Sequence, residues 1–232
     1  MMKYAVSGIS DRKLIKKLYE HGIYIINIKN NELLADPCST HADMQCCSDM
    51  NGTLFFASNI KFSEDVRNYT DNNVIYTDDK LGKTYPDDIK LNILITDRHA
   101  YAHRNASGQI LEKLKKDGRD IVYVNQGYCA CSTLRVTENR FITADKSLYE
   151  ATAADPHNEV LMTAPGKIIL PGYSNGFIGG ASCVTENEVL FFGDINSHPD
   201  AKRITDFINA AGKKAVSLCS GYLFDAGGAV FI

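Results

Sequence analysis

The segment CVTENEVLFFGD, residues 183–194, has the pattern of a strand, a short polar turn and a second strand. Apolar and β-branched residues flank a Thr-Glu-Asn turn, as in a β-hairpin. The pattern recurs in RVTENRFITAD (135–145) and in CSDMNGTLFFAS (47–58), and the two VTEN turns lie 48 residues apart. A recurrence at this distance predicts a fold built from several copies of one unit.

Short amphipathic helices, each followed by a β-rich run, are predicted between the hairpins. Ser10 is a candidate N-cap for the first helix and Gly22 a stop, whereas Pro199 and Gly212 bracket the last. The five pairs are SDRKLIKKLYEHG with IYIINI, SEDVRNY with VIYT, SGQILEKLKKDG with DIVYVN, KSLYEATA with EVLMTA, and PDAKRITDFINAAG with AVSL. We therefore expect five units of strand, turn, strand, helix and strand.

The predicted helix starts divide the chain evenly. They fall near residues 11, 63, 107, 146 and 199, and the distance from the last start through the C-terminus to the first is similar to the others. Each unit alone would leave an apolar face uncovered, which favours closure of the chain on itself. The spacing predicts a single α/β domain over residues 1–232, a five-fold pseudosymmetric propeller with adjacent termini and a site on its axis.

Composition narrows the classes of function. The net charge of −3 and the pI near 6.1 provide no basic surface for nucleic acid or for an anionic membrane, so a small-molecule partner is expected. No stretch approaches 18 apolar residues and no signal peptide is evident, which predicts a cytoplasmic protein. Seven cysteines, an odd number, suit reduced thiols better than a disulfide framework. Neither a cofactor nor an oligomeric state is indicated.

Three motifs place reactive side chains where the units would meet. His41-Ala42-Asp43 lies in PCSTHADMQCC (37–47), Gly179-Gly180-Ala-Ser-Cys183-Val-Thr forms the second motif, and Asp225-Ala-Gly-Gly the third. Together they resemble the marks of the guanidino-group-modifying enzymes of the pentein fold, which include deiminases, dimethylarginine dimethylaminohydrolase and amidinotransferases. The chain looks more like a bacterial branch of unassigned function than like a named deiminase.

The order of the motifs differs from that of the deiminases. Those enzymes carry the acidic motif first, then His-x-Asp, then the cysteine motif, whereas here the acidic motif is last. The resemblance thus implies a circularly permuted pentein, in which the C-terminal AGGAVFI pairs with the N-terminal KYAVSG. The family's second acid is absent, because Ala229 occupies its position. The resemblance therefore implies a guanidino substrate other than free arginine.

The residues support a covalent mechanism. A guanidinium carbon is resonance-stabilised, so displacement of its amine needs a strong nucleophile, and a thiolate from Cys183 is expected. His41 would protonate the departing amine and activate the water that resolves the thiouronium intermediate. Asp43 and Asp225 would bind the guanidinium through paired charge-assisted hydrogen bonds. Cys131, in GYCACST, is the reserve nucleophile.

Other interpretations of these residues remain open. Cys183 has the pattern of a small buried hydrophobic residue, His41 that of a structural histidine, and Asp225 that of a turn cap. Three cysteines around His41 allow a zinc site, but no Cys-x-x-Cys pair occurs there, so no metal is predicted. The sequence predicts a cysteine-dependent hydrolase or amidinotransferase acting on a guanidino compound. The alternative is a non-catalytic pentein that binds a ligand or a partner.

Overall fold

Five three-stranded sheets form the β-structure of the computed structural model, which describes residues 2–232. In each sheet, the middle strand pairs antiparallel with one neighbour and parallel with the other. In the order antiparallel neighbour, middle strand, parallel neighbour, the strands are β15 Val230–Phe231, β1 Lys3–Ser7 and β2 Ile23–Asn27; β3 Cys46–Ser48, β4 Thr53–Ala57 and β5 Asn73–Thr77; β6 Leu94–Ile95, β7 His99–Ala102 and β8 Asp120–Tyr123; β9 Thr133–Thr137, β10 Arg140–Thr143 and β11 Glu159–Met162; β12 Ser182–Val184, β13 Glu188–Phe191 and β14 Lys214–Ser217. The three predicted hairpins are confirmed.

Four sheets use an α-helix to connect the middle strand to its parallel neighbour. These helices are α1 Arg12–Glu20, α3 Gly108–Lys116, α5 Lys146–Ala153 and α6 Ala201–Ala210. Two shorter helices, α2 Ala42–Gln45 and α4 Cys129–Ser132, lead directly into β3 and β9. Three 3₁₀ turns cover Asp36–Cys38, Val66–Asn68 and Ile195–Ser197. No helix within residues 2–232 is long and apolar enough to cross a membrane.

Local sequence explains where the helices begin. The carboxylate of Asp11, rather than the predicted Ser10, caps α1 by accepting a hydrogen bond from the Leu14 N–H at 2.8 Å. Leu14 and Leu18 then fall one turn apart and are buried on the same face. Ser107 caps α3 by accepting a hydrogen bond from the Ile110 N–H.

Two expectations from the sequence need correction. The SEDVRNY segment forms only the 3₁₀ turn Val66–Asn68, because Asp65 caps it at once through the Arg67 N–H and Val66 is its one buried residue. A single apolar anchor does not sustain an amphipathic helix. The pair β6–β7 was not recognised in the sequence, since β6 has only two residues.

The two ends of the chain lie in one sheet, as the sequence predicts. β15 pairs antiparallel with β1, with Ala5 opposite Phe231 and Val6 opposite Val230. Apolar clusters link successive units of sheet and helix, and each cluster takes members from two units. Examples are Val6 with Leu54, Phe55 with Ala100, Tyr101 with Leu148, Ile142 with Phe191, and Leu190 with Ala5. Burial of such side chains stabilises the fold by about 2 kcal/mol each.

A circuit of hydrogen bonds joins the five connectors that lead into β3, β6, β9, β12 and β15. Each connector supplies one or two of its residues: Asp43, Asn92, Cys131, Gly180, and Gly227 with Gly228. The bonds run from Asp43 N to Gly227 O (3.1 Å), Gly228 N to Gly180 O (2.9 Å), Gly180 N to Cys131 O (3.2 Å), Cys131 N to Asn92 Oδ1 (3.2 Å) and Asn92 Nδ2 to Asp43 O (3.0 Å). These contacts bring five remote segments into one small region, and the candidate site is built there.

Candidate active site

A cavity of about 350 Å³ opens on one side of this circuit. His41, Cys131 and Asp225 line it, together with Cys38 and Tyr128. Its size is within the range of small-molecule sites, and most of its wall is apolar with a few polar groups. We call it the first cavity.

Asp225 is held rigidly at the wall of the first cavity. Its Oδ2 accepts a hydrogen bond from the Phe177 N–H at 2.8 Å, and its Oδ1 accepts one from the Gly227 N–H at 2.9 Å. A methyl group on Gly180 would lie 2.0 Å from Oδ1, so the carboxylate fits only against glycine. Burial raises the pKa of Asp225, although His41 and the two N–H groups oppose the shift.

His41 lies just before α2, with its ring beside Asp225. Its Nδ1 is 3.8 Å from Asp225 Oδ1, and both side chains are buried. Gly227 has a φ of +73°, and a methyl group there would lie 2.4 Å from the Cα of His41. A glycine is therefore required for the imidazole and the carboxylate to approach each other.

Asp43 lies on α2 behind His41 and is also buried. Burial raises the pKa of Asp43 to about 6; the nearby Asp225 adds to the shift and His41 opposes it. Its Oδ1 has no hydrogen-bond partner within residues 2–232. An unpartnered buried carboxylate oxygen is costly, and a cationic ligand would satisfy it.

Cys131, at the end of α4, completes this group. Asn92 Nδ2 donates a hydrogen bond to its sulfur at 2.8 Å, and the Asp43 carboxylate faces the thiol. Burial, Asp43 and Asp225 raise the pKa of Cys131 well above its ordinary value. The thiol is therefore protonated in the ligand-free protein at neutral pH.

Cys183 lies in a different environment. It is opposite Leu190 in the β12–β13 pair and belongs to the apolar cluster that contains Ala5 and Ile25. Burial raises the pKa of its thiol to about 12, and Lys3 opposes the shift. Among the described residues, Cys183 is not part of the lining of the first cavity. It lines a second cavity of about 660 Å³, which Asp43 also borders. The structure thus brings together His41, Asp43, Asp225 and Cys131, and places Cys183 apart.

Sequence reasoning missed two residues of the site. Asn92 precedes β6 in the way that Asp43 precedes β3, but its connector carries no motif. His198 lines the first cavity from the loop before α6 and is likewise outside any motif. Equivalence between repeats, rather than residue type, was the signal that could have found Asn92. Among residues 2–232, no three histidine, cysteine or acidic side chains are grouped to hold a metal ion.

The sequence matches the model of a family over residues 5–230, nearly its whole length, and that family is described as "Family of unknown function (DUF6873)". The chain belongs to this family. No curated protein matches it. The DUF6873 assignment carries no activity of its own, and it agrees with the predicted membership of an unassigned branch.

The fold of this DUF6873 chain is similar to those of solved structures. The chain is similar to dimethylarginine dimethylaminohydrolase from Pseudomonas aeruginosa, in a mutant complexed with citrulline, with 10% identity, 100% of each chain covered and a TM-score of 0.55. It is also similar to SxtG, an amidinotransferase of saxitoxin biosynthesis from Microseira wollei, with 8% identity, 88% of this chain and 72% of the other covered, and a TM-score of 0.53. At such identities the similarity shows the fold alone. It confirms the resemblance to guanidino-modifying enzymes at that level.

Proposed function

We propose that this chain is a cysteine-dependent enzyme that hydrolyses a guanidino small molecule, or transfers its amidino group, through a covalent intermediate on Cys131. The observation that carries the proposal is that Cys131, His41 and Asp225 line one cavity, with Asp43 against the thiol. These are the residue types that such chemistry needs: a nucleophile, a proton carrier and two carboxylates.

The proposal includes the architecture. The pairing of β15 with β1, the five shared apolar clusters and the hydrogen-bond circuit all support closure of the five sheets into one propeller domain. In the proposed fold, the chain is a circular permutation of the deiminase order. The site then lies on the axis, where each repeat contributes one connector.

Substrate binding would begin with the carboxylates. Asp225 has both oxygens directed by backbone N–H groups, and Asp43 has an oxygen without a partner. A planar guanidinium can donate paired hydrogen bonds to such groups. Its positive charge would offset the repulsion between the two buried carboxylates and would lower the pKa of Cys131 toward the thiolate.

The reaction then needs one proton carrier. Cys131 gives its proton to His41 as the sulfur bonds to the guanidinium carbon, and the C–N bond breaks as His41 returns that proton to the departing amine. In hydrolysis, His41 takes a proton from water while the hydroxide adds to the thiouronium carbon. The C–S bond breaks, and the thiolate recovers its proton from His41. In amidino transfer, an acceptor amine replaces the water.

Two alternatives belong to this proposal. The motif Gly-Gly-x-x-Cys assigns the nucleophile to Cys183, and that prediction is untested; the contacts favour Cys131. A protein that binds guanidino ligands without turnover is favoured by the raised pKa of Cys131. One experiment distinguishes both alternatives from the main proposal.

The experiment is to incubate the protein with agmatine, methylated arginines, arginine and small guanidino acids. Released ammonia or alkylamine is measured together with the mass of the intact protein after acid quenching. We expect turnover and a covalent adduct that peptide mapping places on Cys131. An adduct on Cys183 would transfer the role to β12, and binding without turnover or adduct would favour the non-catalytic function.

A further inference from the structure

His198 presents a fixed hydrogen-bond donor to the first cavity. The Asp200 N–H donates to its Nδ1 at 3.0 Å, which leaves the ring hydrogen on Nε2. Burial lowers the pKa of His198, so the ring is neutral at pH 7 even though Asp200 opposes the shift. His198 is 4% exposed and lines the first cavity, and within residues 2–232 its ring makes its hydrogen bond through Nδ1 rather than Nε2. The Nε2–H is therefore the ring's free donor for a ligand in the cavity.

One loop separates His198 from Asp225. At one end of the loop, a methyl group on Gly166 would lie 2.3 Å from His198 Nε2; at the other, one on Gly176 would lie 2.5 Å from Asp225 Cβ. The amide of Asn175, oriented so that its nitrogen faces acceptors, donates to Gly166 O at 2.9 Å and ties the two ends together. His198 and the guanidinium-binding carboxylate of Asp225 therefore contact the two ends of one closed loop.

The acidic side chains of the first cavity disfavour a ligand that carries an anionic group. The acidic side chains that line it are Asp225 and Asp145, and Asp145 already caps α5 and accepts a hydrogen bond from Gln126 Nε2 at 2.9 Å. An anionic group on the ligand would face these carboxylates in a mostly apolar cavity, where charge repulsion is strong. A neutral acceptor meets no such penalty.

We propose that His198 is a specificity residue whose Nε2–H binds a neutral hydrogen-bond acceptor, such as an amide carbonyl, at the end of the substrate remote from the guanidinium. This inference rests on the proposed function. It names the substrate class as guanidinoalkyl compounds that end in an uncharged acceptor rather than in a carboxylate or an ammonium group.

Three compounds of equal chain length test the inference: 4-guanidinobutanamide, 4-guanidinobutanoate and agmatine. Their remote ends are a neutral acceptor, an anionic acceptor and a cation without an acceptor. We expect kcat/KM, and affinity measured by calorimetry, to be highest for the amide, by about tenfold over each of the others, since one hydrogen bond to a buried donor is at stake. His198→Leu should reduce the preference for the amide over agmatine about tenfold. His198→Gln, which keeps an N–H donor, should retain part of it.

The outcomes separate the two proposals. A carboxylate that binds as tightly as the amide, or a preference that survives in His198→Leu, would overturn the role of His198 while turnover still supports the enzyme. Binding with the expected preference but without turnover would support His198 and refute the enzyme. If none of the three compounds binds, both proposals fail. Thermal unfolding of each variant shows whether it is folded.

Discussion

Cys131 and Cys183 are both buried thiols beside a sheet, but their neighbours differ. Cys131 contacts Asn92 and Asp43 and shares a cavity with His41, whereas Cys183 packs among aliphatic side chains. Burial raises the pKa of both, yet only Cys131 also owes its shift to carboxylates, which a bound cation can neutralise. A thiol of that kind can be switched on by its substrate.

The motif that contains Cys183 contributes one residue to the surroundings of Cys131 and another to the apolar cluster around Cys183. Gly180 N donates to Cys131 O, and a methyl group at Gly180 would collide with Asp225, so the glycine serves the first cavity. Three residues later, Cys183 points into the apolar cluster of β1 and β13. A short motif therefore records which segment reaches the site, but not which of its side chains faces it.

The largest expected effect comes from exchanging the two thiols for hydroxyls. Cys131→Ser should lower kcat for a turned-over guanidino compound by about 10³-fold or more, because it removes the nucleophile. Cys183→Ser, the matched control, should change kcat by less than about threefold and reduce stability instead, since a hydroxyl is poorly accommodated in an apolar cluster. Steady-state rates and urea unfolding of both variants measure this.

Labelling with a haloacetamidine sharpens the same comparison. The reagent carries its own cation and should alkylate Cys131 before Cys183. The reverse order of effects, in rates or in labelling, would assign the chemistry to Cys183 and to the second cavity.

The next effect concerns pH and Asp43. The pKa of Asp43 is about 6 in the fold against 3.8 ordinarily, so its carboxyl stabilises the fold when protonated, below about pH 4, and this contribution is lost as the pH rises to about 6. Asp43→Asn should therefore gain about 2 kcal/mol in free energy of unfolding relative to the native chain between pH 4 and pH 7. Urea unfolding at several pH values tests it.

Asp49 is a control because its effect on stability should depend on pH in the opposite direction to that of Asp43. Although burial acts to raise the pKa of Asp49, hydrogen bonds from the N–H groups of Thr53 and Asn51 prevail and lower it. The contribution of Asp49 to stability is therefore lost as the pH falls below the ordinary pKa of an aspartate. An Asp43→Asn variant with the same pH profile as the native chain would show that the carboxyl is not coupled to the first cavity.

The smallest expected effect is that of adding a methyl group at Gly180, in the motif that also contains Cys183. Gly180→Ala should cost about 1–3 kcal/mol of stability and weaken ligand binding, because the methyl group must displace Asp225 or its connector. Gly108→Ala adds the same methyl group on α3, with nothing within 4 Å, and should be neutral or slightly stabilising. Equal effects of the two changes on unfolding and on ligand affinity would mean that Gly180 does not shape the site.

Much of the fold was predictable because its signals are local. Short amphipathic segments predicted α1, α3, α5 and α6, and strand runs separated by polar turns predicted three hairpins. The helix expected near residue 63 was wrong, since one buried valine does not support it. The β6–β7 pair escaped notice because β6 has only two residues, too few for a strand pattern.

The site was predictable only in part. His41, Asp43 and Asp225 stood out because His-x-Asp and Asp-Ala-Gly-Gly resemble motifs of the guanidino-modifying enzymes, and the structure brings these residues together. Asn92 and His198 acquire their roles from contacts between repeats that are remote in sequence. No local pattern reports such contacts, and none could rank Cys131 above Cys183.

The hydrogen-bond circuit takes a member from every repeat, so it can exist only when all five are assembled. Loss of any one connector would leave buried amide and carbonyl groups without partners on both sides of it. Deuterium exchange at the amides of Asp43, Cys131, Gly180 and Gly228 should therefore require opening of the whole fold. A partly unfolded molecule would contain sheets and helices but not the candidate site, so damage to a distant repeat is expected to abolish the proposed activity and the protection of these amides together.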